Sequence, residues 1–244
     1  MIVSWFSAGV SSAVATKIAL QKYGDIKIIY THIDDQHPDT MRFVNECAEW
    51  FGREVEIMQS PLKSVENACR YASFVKTPYG APCTKYLKRR VRKIWETENN
   101  PSAYIWGFDM TEQNRAGRIC ESMPEFEHIF PLIDGNIDKQ AAHGILERAG
   151  IKRPAMYDMG YPNNNCIGCL KGGGGYWQAI KRDFPDVFKK RCEMEHLLGG
   201  TVFKEFYLDE MPEDYGRDLK IIVPDCGLFC EITPPRAEGG EDER

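Results

Sequence analysis

No stretch of this chain approaches the roughly 18 consecutive apolar residues of a membrane span. The N-terminus begins on a strand-like apolar run, with no basic flank or cleavage pattern. Together these absences predict a cytoplasmic protein with no membrane partner. Histidine is scarce, with five residues and no clustering, so each is expected in an ordinary structural role. A positive balance is missing as well. The net charge of -5 argues against a nucleic-acid binder driven by charge alone, although a local basic patch is compatible with it. Nine cysteines, an odd count without a secretion signal, do not read as a disulfide framework. Reduced thiols, metal ligands or redox chemistry fit better. There is no internal repeat.

What remains is the composition of an ordinary soluble protein, with 244 residues of which 43% are hydrophobic and 27% charged. Apolar runs at Ile2–Phe6, Ile26–Ile33, Val55–Met58 and Ala103–Phe108 alternate with segments whose apolar residues recur at three and four, such as Val10/Val14/Ile18 and Leu87/Val91/Ile94/Trp95. This alternation predicts an α/β, Rossmann-like parallel sheet with helices on both faces. A further extended run at Phe126–Ile133 and a helix over about Asp138–Ala149 complete the expected nucleotide-binding domain, residues 1–153. A Cys/Gly-rich helical segment, 154–236, follows, and an acidic tail, 237–244, reads as disordered.

The stretch Ser4 to Ser12 is the most informative, because an apolar strand runs into a small-residue turn that opens an amphipathic helix. Ser7, Ala8, Gly9, Val10, Ser11 and Ser12 make an anion cradle, where unpaired amides and the positive end of the helix dipole face a phosphate or sulfate. In such sheets, ligands sit beyond the carboxyl ends of the strands. Asp34, Asp35 and Gly107–Asp109 gather there with the cradle. The two aspartates suit a ribose, an adenine or magnesium, and equally a loop cap. Arg115 and Arg118 follow on a charged helix start and suit phosphate or sulfate pairing. In the basic run Lys85–Lys93, one or two of Lys85, Lys88 and Arg89 are expected to touch an anion, and Lys85 is the first choice.

Cys166 and Cys169, spaced by two residues with Gly168 between them, read as thiolate ligands for a metal or an iron–sulfur cluster, with Cys83 as a third. Cys226 and Cys230 are open to two uses. Either Cys226 attacks a bound substrate and Cys230 resolves the product, or the pair closes a zinc or cluster site with Cys166 and Cys169.

These residues resemble the phosphoadenosine phosphosulfate (PAPS) reductase family, within the PP-loop (HUP-type) adenine-nucleotide α-hydrolase-like proteins. Ser7–Ser12 resembles the modified PP-loop, Trp106–Arg118 the family's glycine, glutamine and arginine segment, and Asp225–Leu228 its terminal motif with the catalytic thiol. Asn163–Trp177 is similar to a subgroup met in phage and bacterial genomes. The resemblance implies an adenine nucleotide (PAPS, APS or ATP), a 4Fe-4S cluster or zinc at Cys83, Cys166 and Cys169, and a thioredoxin-type donor. A homodimer also fits. Three positions depart from the pattern: Ser11 replaces an aspartate of ATP-cleaving members, Pro82 a cluster cysteine, and Phe229 a histidine. Two other readings remain, an ATP-dependent iron–sulfur sulfurtransferase that thiolates nucleic acid and a non-catalytic nucleotide-binding module with structural zinc.

Overall fold

The computed structural model describes residues 1–77, 80–216 and 219–223. Five parallel strands, β1 (Ile2–Trp5), β2 (Ile26–His32), β3 (Val55–Gln59), β4 (Ala103–Ile105) and β5 (Glu127–Ile129), form one sheet in the order β3-β2-β1-β4-β5. Ser4 of β1 pairs with Ile28 of β2 on one side and Ile105 of β4 on the other. The order reverses at β1, which makes the crevice between the carboxyl ends of β1 and β4 the natural ligand site.

The helices are α1 (Val10–Tyr23), α2 (Asp39–Phe51), α3 (Val65–Ala72), a π-helix (Thr84–Arg89) that continues as α4 (Arg90–Asn99), α5 (Gln113–Ser122), α6 (Pro131–Asp134), α7 (Lys139–Arg148), α8 (Ala155–Asp158), α9 (Gly174–Asp183) and α10 (Pro185–Leu198). Their apolar stripes explain their placement. In α2, Phe43, Val44, Cys47 and Phe51 recur at helical spacing and are buried, and Gly52 in the left-handed region ends the helix. One sheet face packs Phe6, Ile28 and Tyr30 against α1, α2 and α7, while the other packs Val3, Trp5 and Tyr104 against Trp95 and Ile119. The expected α/β sheet with helices on both faces is therefore present. Among the described residues no helix is long and apolar enough to cross a membrane.

Beyond residue 153 the chain folds back over the loops at the carboxyl ends of the strands. A third core joins Tyr161, Cys166, Cys169, Tyr176 and Trp177 to Ile33, Cys69 and Leu87. Four glycines at 172–175 interrupt regular structure only briefly, since α9 already begins at Gly174. They serve close packing: a Cβ on Gly175 would lie 2.5 Å from the Leu219 carbonyl oxygen.

Asp39 pins this return. Its carboxylate accepts from Arg42 Nε and Nη2 (2.6 and 2.9 Å) and from the Ala155 amide (2.9 Å), and Arg42 also donates to the Lys152 and Arg153 carbonyls. The Arg42 bonds hold the Asp39 carboxyl down to about 2. A depressed carboxyl contributes stability above its unfolded value, and that stability is lost as pH falls through the folded one. Asp39→Asn is therefore expected to lower stability at pH 7 by roughly 2 kcal/mol. The gap from wild type should shrink as pH drops below about 4 toward 2. Urea denaturation at pH 7 and pH 3 checks this, and a gap independent of pH would refute the assignment.

Candidate active site

The turn after β1 is built from β1 and α1 together. Ser4 Oγ and Thr16 Oγ1 lie 2.7 Å apart, and Thr16 Oγ1 donates to the Ser12 carbonyl (2.7 Å), so a buried polar chain ties the strand to the first turns of α1. Ala8 is fully buried with φ +57°, a left-handed conformation that is unfavourable for a residue with a Cβ. Its carbonyl is held by Asn164 Nδ2 at 2.9 Å, and the Asn164 side chain also bonds Thr40. The strained turn is thus supported from the segment beyond residue 153.

The loop amides converge. Ser7 and Gly9 N–H both donate to Ser12 Oγ (3.2 and 3.3 Å), Ser7 Oγ donates to the same oxygen (3.0 Å), and Ser12 Oγ donates to the Gly9 carbonyl (2.9 Å). Val10 N–H points at the Tyr157 hydroxyl of α8, 3.4 Å away. The amide contacts are long for N–H···O bonds. Gly107, at the exit of β4, closes the other side of the crevice: a Cβ there would lie 2.5 Å from Ser12 Cα and 2.7 Å from Ser12 N. Beside the mouth, Lys139 Nζ bonds Asn163 Oδ1 and stands 5.9 Å from the Tyr157 ring, which meets His143 edge-on. Burial and the neighbouring Arg153 and Lys139 keep the His143 pKa below its ordinary value.

The structure thus brings the Ser7–Ser12 turn and Gly107 into direct contact, whereas the other sequence-predicted residues are held by partners of their own. Asp109 is buried and caps a 3₁₀ turn, accepting from Thr111 N (2.8 Å) and Thr111 Oγ1 (2.6 Å). Arg115 pairs with Glu112 (2.8 Å) and stacks over Phe108 (4.4 Å). Arg118 differs, because among the described residues its buried Nε has no hydrogen-bond partner. Asp34 accepts from Gln59 Nε2 (2.6 Å) and remains half exposed. Asp35 turns inward, pairing with Arg191 Nη2 and accepting from the Val65 amide (2.6 Å). Lys85 lies exposed over the Tyr86 ring, whereas Lys88, three residues on, is buried. The π-helix, a frequent mark of functional sites, carries Lys88 to the neighbourhood of Tyr30 and Cys166. Tyr30 titrates above its ordinary range, chiefly from burial and then from the Cys166 thiol, with Lys88 acting against both.

Cys166 and Cys169 are buried on a turn held from three sides. Tyr176 Oη accepts from Cys169 N (2.9 Å) and donates to the Cys166 carbonyl (3.2 Å), while Arg191 donates to the Gly168 and Ile167 carbonyls. The Ile167 amide reaches the Asp35 carbonyl at 2.8 Å. Half-buried Cys83 neighbours Cys69, whose thiol is pushed up to about 12 by burial and then by Cys83. Lys76, half-buried near Cys169 and Lys171, is lowered by burial. The two-cysteine turn suits a pair of thiolates, but among the described residues no group of three or more His, Cys, Asp or Glu side chains is placed to hold a metal ion. Cys226 and Cys230 lie outside the described residues.

Tyr157, Asn164, Lys139 and Arg191 were not legible as site residues. Of these, Asn164 alone carries a local signal, the Tyr161–Asn165 break in regular structure, which marks a loop without saying what it touches.

The family model for the phosphoadenosine phosphosulfate reductase domain matches residues 1–172. No curated protein matches the chain. Among solved structures, the phosphoadenylyl-sulfate (PAPS) reductase from Candida auris, in a phosphate complex, is similar with a TM-score of 0.50 and 14% identity, over 68% of this chain and 81% of that one. At that identity the likeness speaks for the fold, and the family match, which takes in the cradle, Gly107 and the Cys166–Cys169 turn, speaks for descent. The chain belongs to the phosphoadenosine phosphosulfate reductase domain family.

Proposed function

We propose that this protein is a sulfonucleotide reductase-like enzyme that binds an adenylyl sulfate in the crevice between β1 and β4. The observation that carries the reading is the set of loop amides, those of Ser7 and Gly9 converging on Ser12 Oγ and that of Val10 directed at the Tyr157 hydroxyl, which donate at 3.2–3.4 Å to neutral hydroxyls. An anionic oxygen offers each of them a shorter, charge-assisted bond. Lys139, beside the Tyr157 ring, and Arg118 are the cations assigned to the anionic end, and Gly107, lacking a side chain, lets the exit of β4 pack closely against Ser12 of the cradle.

The chemistry assigned to Cys226 follows from thiolate reactivity. Its sulfur attacks the sulfur of the phosphosulfate, the S–O bond to the phosphate breaks, and the nucleotide leaves with that oxygen and the electron pair. The enzyme then carries a cysteine S-sulfonate. A second thiolate, from Cys230 or a thioredoxin-type dithiol donor, attacks Cys226 Sγ, displaces sulfite and leaves a disulfide, which the dithiol donor reduces.

Cys226→Ser is expected to reduce sulfite release from PAPS or APS below detection in the presence of a thioredoxin-type donor, while adenosine 3′,5′-bisphosphate or AMP binds as to wild type. Calorimetry and a sulfite assay read the two quantities separately. Wild-type protein that binds the nucleotide but yields no sulfite from either substrate would overturn the reductase reading and leave a binding role.

A further inference from the structure

We propose that the outward face of the helical stretch Thr84–Asn99 binds the sugar–phosphate backbone of single-stranded nucleic acid. The π-helix and α4 turn Leu87, Lys88, Val91, Arg92 and Trp95 inward, where all are buried. Their outer side lines a cavity of about 590 Å³ with Lys85, Arg89, Arg90 and Lys93, together with Tyr86, Ile94 and Thr97. Four of these lining residues are cationic and none is acidic, on a chain whose net charge is -5. The concentration is therefore local, as an electrostatic footprint requires.

The extent of the row decides the class of ligand. Lys85, Arg89 and Lys93 recur every four residues, so the cations span roughly 12 Å along the axis. That exceeds one phosphate or sulfate and matches a repeating polyanion. Beside the row, Tyr86 meets the exposed ring of Tyr71 at 5.1 Å, giving a surface on which a base can stack. An anionic membrane fits less well, because an interfacial helix needs a broad apolar face. Here Ile94 is the lone aliphatic residue among the described lining.

Fluorescence anisotropy with a labelled single-stranded oligonucleotide of about 20 residues, as RNA and as DNA, tests the assignment on the full chain. Affinity should fall with salt between 50 and 200 mM, with a log–log slope of about -2 to -3 for three to four neutralised phosphates. Arg90→Glu/Lys93→Glu should weaken binding at least about tenfold and flatten the slope by roughly one unit or more. Adenosine 3′,5′-bisphosphate binding should be unchanged and reports an intact fold. Should that control fail, Arg90→Gln/Lys93→Gln gives the same readout with a smaller charge change. Salt-insensitive or absent oligonucleotide binding by wild type, or equal binding by a folded variant, overturns the proposal. Equally tight binding of polyglutamate of matched charge also overturns it, in favour of an acidic-protein surface.

Discussion

Gly107→Ala is expected to weaken adenine-nucleotide binding by at least about 100-fold, the scale on which a displacement near 1 Å disables a positioned site. The added Cβ would meet Ser12 Cα at 2.5 Å and Ser12 N at 2.7 Å. Both are main-chain atoms in the first turn of α1, so no rotamer change relieves the overlap. Either α1 retreats from the sheet or β4 does. A retreat of α1 takes Ser12 Oγ away from the amides of Ser7 and Gly9 and unmakes the cradle. Stability should fall as well, by about 1–3 kcal/mol as in overpacked cores. Gly117→Ala is the matched control, since a Cβ there meets nothing within 4 Å. Isothermal calorimetry with adenosine 3′,5′-bisphosphate reads the affinity and urea denaturation the stability. If Gly107→Ala binds within a fewfold of wild type, the crevice is not the nucleotide site.

The second large effect is expected at Arg191. Its guanidinium is buried, pairs with Asp35 and donates to the Gly168 and Ile167 carbonyls. Arg191→Met leaves a largely buried Asp35 carboxylate without its counter-charge, and removing one member of such a pair costs about 3–5 kcal/mol. Asp35→Asn/Arg191→Met should recover part of that loss, because neither charge is then stranded. A double-mutant cycle by denaturant unfolding gives the coupling. A single-variant cost under about 1 kcal/mol, or strictly additive costs, would contradict the role given to this pair. The Cys166–Cys169 turn should loosen in Arg191→Met, with faster reaction of those thiols toward a disulfide reagent.

Much of this architecture is legible in residue order, because the sheet strands are short apolar runs and most helices between them keep a 3.6-residue stripe. The exception is α1, expected to be amphipathic and instead buried on every side from Val10 to Thr16. The crevice is legible for the same reason: Ser7–Ser12 and Gly107 sit directly after strands that the topology makes neighbours. The polar contacts around it are less so. Asp35 reads as a ligand candidate from its place after β2, yet it serves an ion pair with a residue 156 positions away. Lys85 and Lys88 look equivalent in a basic run, but the wider π-turn buries one and exposes the other. Tyr157 and Asn164 reach the cradle from more than 140 positions along the chain, a proximity that no local periodicity encodes.

The Asn164 bond to Ala8 also bears on how the protein is made. A ribosome emits the glycine-serine bend early, and the amide that braces its contorted backbone follows only 156 residues later. Such a distant closure is slow to form. Newly made chains should therefore stay blind to nucleotide until the asparagine run has emerged and docked, which couples competence for substrate to the completion of folding.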